Sequence, residues 1–187
     1  MKGIMFIFLA ILGAIGLLIV YLISTYNSLI VLKNKVNEAW SGIDVQLKRR
    51  IALIPNLVET VKGYASHEKG TFEAVTNARA AMMSATTPGM AAQAEGMMAG
   101  ALKSLCAVAE AYPELKANTN FLQLQTELGD TESKVAYSRQ FYNANVLEFN
   151  NSIAVFPNVL VAQFLRFVPF EFFKATEEER QDVQVKF

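Results

Sequence analysis

The chain has 187 residues, is 52% hydrophobic, and sets 17 lysines and arginines against 17 aspartates and glutamates. Residues 3–32 carry no charge, and every charged residue except Lys2 lies from Lys33 onward, where the balance is near neutral. This excludes the basic footprint of a nucleic-acid binder and an acidic tail. The single cysteine excludes an intrachain disulfide, which is compatible with a reducing compartment.

Residues 4–23 form an apolar stretch of the length a helix needs to cross about 30 Å of hydrocarbon. Tyr21 and Tyr26 fall where an interfacial aromatic belt is expected. A cleaved signal peptide would have a shorter apolar stretch, about 7–15 residues, and a small-x-small cleavage site. The exit LISTYNSL offers no such site, so an uncleaved single span is expected. Lys2 flanks one end, while Lys33 and Lys35 flank the other, with Lys48, Arg49 and Arg50 beyond. That bias leans toward a cytoplasmic domain.

Residues 29–68 carry an apolar seam at alternating three- and four-residue steps: Leu29, Leu32, Val36, Ala39, Ile43, Leu47, Ile51, Ile54, Val58, Val61 and Ala65. This spacing predicts a helix continuous with the span, over about 26–68, with a kink or short break at Pro55. A second helix is expected over 71–85 with Thr71 as N-cap. A turn follows at 86–89, a third helix at about 90–111, and a loop from Tyr112 through Asn118. The fourth helix spans about 120–156, where Asn120 and Gln123 resemble a capping box. Its seam is Phe121, Leu124, Leu128, Thr131, Val135, Ser138, Tyr142, Val146, Phe149, Ile153 and Phe156. Two long seams call for an antiparallel bundle. The predicted class is therefore all-α, an N-terminal transmembrane helix continuous with a long antiparallel helical bundle. Its parts are an anchor over 1–25, a bundle over 26–156 and an aromatic-rich C-terminal segment over 157–187.

The first helix extends roughly 40–60 Å past Ser24 at 1.5 Å per residue, and alternating helices return the end of the last one to the bilayer. That end is rich in phenylalanine: seven of the chain's 13 lie from Phe156 onward. Tyr21, Tyr26, Phe156, Phe164, Phe167, Phe170, Phe172 and Phe173 are thus candidates for membrane contact. A bundle cap or a subunit interface would also suit such a tract. Asn27 and Asn34 are seven apart, as are Asn143 and Asn150, and all four border a seam. Asparagine at such positions fixes register at some cost in stability, and surface exposure is the plainer alternative.

No case for catalysis emerges. His67 is the only histidine, and Cys106 lies among apolar neighbours. No metal-ligand spacing, nucleophile elbow or phosphate loop is present. No catalytic residue, cofactor or metal is expected. Lys48, Arg49 and Arg50 are expected to pair at the surface with neighbouring helices, and methionines 82, 83, 90, 97 and 98 to fill core or an adaptable interface.

The blocks Tyr26-Asn27-Ser28-Leu29, Glu38-Ala39-Trp40-Ser41, Ile43-Asp44-Val45-Gln46-Leu47-Lys48-Arg49-Arg50 and Leu53-Ile54-Pro55-Asn56-Leu57-Val58-Glu59 resemble the LemA family. So do Ala111-Tyr112-Pro113-Glu114-Leu115, Phe121-Leu122-Gln123-Leu124-Gln125, Arg139-Gln140-Phe141-Tyr142-Asn143, Phe156-Pro157 and Phe172-Phe173. The resemblance spans essentially the whole chain. It implies a bacterial single-span protein with a helical-bundle domain, and it supplies no catalytic residues. One departure stands in the C-terminal segment, where Leu165-Arg166-Phe167 occupies the place of the family's usual Gly-Phe.

The expected role is a non-enzymatic, membrane-anchored scaffold in the bacterial inner membrane. It would self-associate and organise or shape the bilayer, with lipid and further copies of itself as partners and no nucleic acid. The alternative is an accessory or signalling subunit that binds another membrane protein without large self-assembly.

Overall fold

Pro55 lies inside an unbroken helix. The computed structural model describes residues 2–174, and its first helix, α1, runs over Lys2–Lys62 with Pro55 within it. Proline has no N–H, so the carbonyl of Ile51 one turn earlier loses its helical donor. Arg79 Nε donates to that carbonyl at a long 3.5 Å. The short break weighed for this position does not occur.

The remaining helices are α2 (Lys69–Ser84), α3 (Pro88–Glu110), α4 (Pro113–Lys116), α5 (Thr119–Ala154) and α6 (Asn158–Phe164). No strand occurs among the described residues, and the fold is all-α. Several boundaries differ from the sequence reading. The first helix ends at Lys62, six residues early, and 63–68 is irregular, with Ala65 buried in it. The second starts at Lys69, so Thr71 lies inside it and caps nothing. Thr87 caps α3 by accepting from Met90 N–H at 3.2 Å, with Pro88 in the first turn. Asn118 Oδ1 accepts from the N–H groups of Asn120 and Phe121 at 2.9 and 3.1 Å and caps α5. The capping box expected at Asn120 and Gln123 is therefore misplaced by two residues, and Gln123 bonds Glu127 instead.

The described residues form two compact units. The first takes 2–39 and 144–170, and the second takes 40–143 and 171–174. In the first unit the Tyr21 hydroxyl of α1 donates to Asn158 Oδ1 of α6 at 2.9 Å. Its core is Leu29, Val36, Ala39, Val146, Phe149, Ile153, Val161 and Ala162. In the second unit Trp40 packs on Tyr142, Arg50 pairs with Glu132, and Asn118 donates to the Tyr64 hydroxyl. The α5 partner falls in number as the α1 residue rises, so the two helices are antiparallel there. Helices α2 and α3 pack against each other in the same unit. Both seams are buried or half-buried along their length, apart from Phe156 at the far end of the second, which is 79% exposed. Of Lys48, Arg49 and Arg50, only Arg49 makes the expected surface pair with a neighbouring helix, through Asp130. Lys48 pairs with Asp44, which lies on α1 itself, and Arg50 is 4% exposed and belongs to the core.

The Arg79–Ile51 bond makes a coupled prediction. R79M removes the donor and should cost about 1 kcal/mol of unfolding free energy, the usual worth of one hydrogen bond. In a P55A background the backbone N–H is restored and R79M should cost markedly less. Chemical denaturation of the four proteins of this cycle measures the coupling.

Candidate membrane-interface site

After α6 and a turn at Leu165 and Arg166, the chain runs without helix or strand from Phe167 to Lys174. Backbone outside helix and sheet must find other partners for its N–H and C=O groups. Helix α5 supplies them through asparagine. In the first unit Asn150 Oδ1 accepts from Phe170 N–H at 2.9 Å, and Asn150 Nδ2 donates to Phe170 C=O at 3.0 Å. In the second unit Asn143 holds the N–H and C=O of Phe173 in the same way, both at 2.9 Å. A carboxamide has one acceptor and two donors, so each satisfies both groups of one residue as a neighbouring strand would.

Further contacts hold the segment in each unit. In the first, Phe149 meets Phe167 and Phe170 edge-on, with centroids 6.1 and 5.1 Å apart. Such pairs favour this geometry. In the second, the Tyr142 hydroxyl donates to Glu171 C=O at 2.8 Å, and the Arg139 guanidinium lies 4.7 Å from the centre of the Phe173 ring. The Glu171 carboxylate sits over Gly89 in the first turn of α3, where a Cβ would come within 2.9 Å of it. An anion at that end is favoured by the helix dipole. Burial pushes the Tyr142 hydroxyl above its ordinary range, and the charge of Glu171 adds to it.

Each candidate residue can now be placed. Asn143 and Asn150 hold backbone of the C-terminal segment, whereas Asn27 and Asn34 are exposed on α1. Phe156 and Phe164 are exposed, at 79% and 86%. Phe167, Phe170 and Phe172 are half-buried, and Phe173, 2% exposed, presents no ring to the outside. Tyr21 is half-buried on Asn158, and Tyr26 is exposed. Residues 175–187, the end of the expected C-terminal segment, lie outside the described residues.

The sequence reading missed a buried ion cluster in the second unit. Glu95 of α3 pairs with Arg50 of α1 at 3.5 Å and with Arg139 of α5 at 3.3 Å, and Arg50 also reaches Glu132 at 2.6 Å. The charges balance, two against two. Removing one member of such a cluster leaves a buried charge uncompensated, which is usually far costlier than losing a surface pair. On the exposed side, the hydrogen bond from Lys134 and the nearby Arg49 hold the Asp130 carboxyl below its usual range. No group of three or more His, Cys, Asp or Glu able to hold a metal stands among the described residues.

The Asn clamps are tested by substitution. N150L and N143L each leave an N–H and a C=O without their partner and should destabilise by about 1–3 kcal/mol, with faster amide exchange at Phe170 or Phe173. N34L, on an exposed face, should change neither. The Tyr142 hydroxyl gives a pH dependence. Its folded pKa is raised, so its contribution is complete below about pH 10, the value of a free tyrosine, and is lost as pH rises through the folded value. Stability should fall as the pH is raised past about 10, and Y142F should flatten that limb in denaturation experiments.

The chain has relatives among known proteins. The LemA family model matches residues 39–187. Protein LemA of Metamycoplasma hominis is 30% identical over 173 residues, covering 90% of this chain and 78% of that protein. Magnetosome protein MamQ of Magnetospirillum gryphiswaldense is 23% identical, covering 81% of this chain and 65% of its own length. Magnetosome protein MamQ 1 of Paramagnetospirillum magneticum is 24% identical, with 82% and 66% covered. The chain thus spans about two thirds of each MamQ protein. With the family model matched over most of its length and Protein LemA aligned over nine tenths of it, the chain belongs to the LemA family.

Proposed function

We propose that this protein is a single-span, non-enzymatic scaffold that self-associates at the bacterial inner membrane and organises or shapes it, with its helical bundle on the cytoplasmic side. The observation that carries the reading is the continuity of α1, which runs from the uncharged apolar stretch into the bundle without a break. A flexible linker would let the bundle move independently of the bilayer. A continuous helix instead transmits tilt and force between them.

Helix α6 supplies a second support. It buries Val161 and Ala162 and leaves Leu160 and Phe164 exposed, and Phe156 and Val168 are exposed nearby in the chain. This apolar face suits a headgroup boundary, and the Tyr21–Asn158 bond ties it to the end of the span. For self-association, α5 carries Tyr137 and Phe141 exposed one turn apart. Aromatic residues on an exposed face mark contact surfaces. None of the relatives' names states an enzymatic activity.

Size measurement of the full chain in mild detergent tests the reading. A monodisperse homo-oligomer is expected, broken down by Y137E. A monomer that co-purifies in fixed ratio with a different membrane protein overturns it in favour of an accessory subunit.

A further inference from the structure

The first unit holds two adjoining hollows on the same side as the end of the span. One, of about 530 Å³, is lined by Leu22, Ile23, Tyr26, Leu160, Val161, Phe164 and Leu165. The other, of about 400 Å³, shares Tyr26 and Leu165 and adds Lys33 and Arg166 among apolar residues of the C-terminal segment. Among the described residues no carboxylate lines either one. We propose that together they bind one phospholipid with an acidic headgroup, its acyl chain in the apolar groove and its phosphate at Lys33 and Arg166.

Three observations fix that occupant. The groove is continuous with the span, since Leu22 and Ile23 are its last residues before Ser24. The cations stand at the right depth. Lys2 and Lys33 bracket the uncharged stretch on one helix, and the 31 steps between them rise about 46 Å, the thickness of a bilayer with its headgroups. The third observation is Arg166 itself. Phe167 N–H bonds Ala162 C=O at 2.9 Å, and Arg166 N–H bonds Gln163 C=O at 3.1 Å. These two bonds close α6 as a Schellman cap, whose left-handed residue is usually glycine. Arg166 takes that position, with φ 56°. A non-glycine residue is disfavoured there, so the cap alone does not account for the arginine, whereas a cation beside the apolar groove matches a phosphate.

The inference rests on the membrane reading above, and the two can fail separately. The full chain is reconstituted in vesicles of equal phosphatidylglycerol and phosphatidylcholine, extracted in mild detergent, and weighed by native mass spectrometry. Retained phosphatidylglycerol should exceed phosphatidylcholine. R166G suits the cap better and should be at least as stable as the parent, yet its preference should fall about fivefold, the effect of one cation near an acidic surface. K33Q with R166G should abolish the preference, R166K should keep most of it, and L160W, which fills the groove, should lower retention of both lipids. Equal retention of the two lipids by the parent, or an R166G preference like the parent's, overturns the proposal. Displacement of the lipid by millimolar inorganic phosphate overturns it as well, in favour of a small-anion site. A chain that fails to enter vesicles at all removes the membrane reading and this inference with it.

Discussion

An asparagine side chain carries the same donor and acceptor as a peptide group, and the position of the C-terminal segment depends on that equivalence. Without Asn143 and Asn150, the N–H and C=O groups of Phe170 and Phe173 would each need water or a strand partner. With them, a segment without helix or strand is held on a helix with no sheet at all. The segment then carries Phe167 and Phe170 to the Phe149 ring in the first unit, and Glu171 to the start of α3 in the second. It also sets Arg166 and Phe167 at the rim of the hollow that Lys33 lines.

Two interrupted or buried polar groups inside the helical units are met by partners from distant elements. The Ile51 carbonyl left by Pro55 meets Arg79, 28 residues away. Arg50, in the middle of the α1 seam region, meets Glu95 and Glu132, and Arg139 completes the balance. Such clusters add little net stability compared with apolar residues of the same volume, but they penalise any arrangement that separates the charges. Helices α1 and α5, with their apolar seams, could slide by one heptad at small cost in burial. The four-charge cluster makes that slip expensive, and so sets which residues of α1, α3 and α5 lie side by side.

What could be read in the sequence was what depends on local periodicity. The seams of α1 and α5 were visible because burial on a helix recurs every three or four residues, and they are buried or half-buried up to Ile153. Features that depend on a distant partner were not visible. Pro55 predicted a kink or short break from proline's missing donor, whereas the Arg79 donor that meets the Ile51 carbonyl lies in another helix. Arg50 looked like surface because its neighbours Lys48 and Arg49 are surface. The seven-residue spacing of Asn143 and Asn150 drew attention to the right residues, but their partner is backbone, which leaves no side-chain pattern in sequence. The N-cap of α5 was misplaced because Asn118 and Asn120 both offer the right side chain, and only the start of the helical backbone decides between them.

Arg166 shows how function can override a local preference. The Schellman cap at the end of α6 asks for glycine, and Arg166 stands in its left-handed position instead. A left-handed conformation costs an L-residue about 1–2 kcal/mol, which a surface loop does not recover from charge alone in water. At a headgroup layer the balance changes, because a cation facing acidic lipid gains about 1 kcal/mol and its stem can lie on apolar surface. Arg166 borders the groove that Leu160 and Phe164 line, at the level of Lys33, the first charge beyond the span. On the proposed lipid site, the strain at Arg166 falls where an acidic headgroup would offset it.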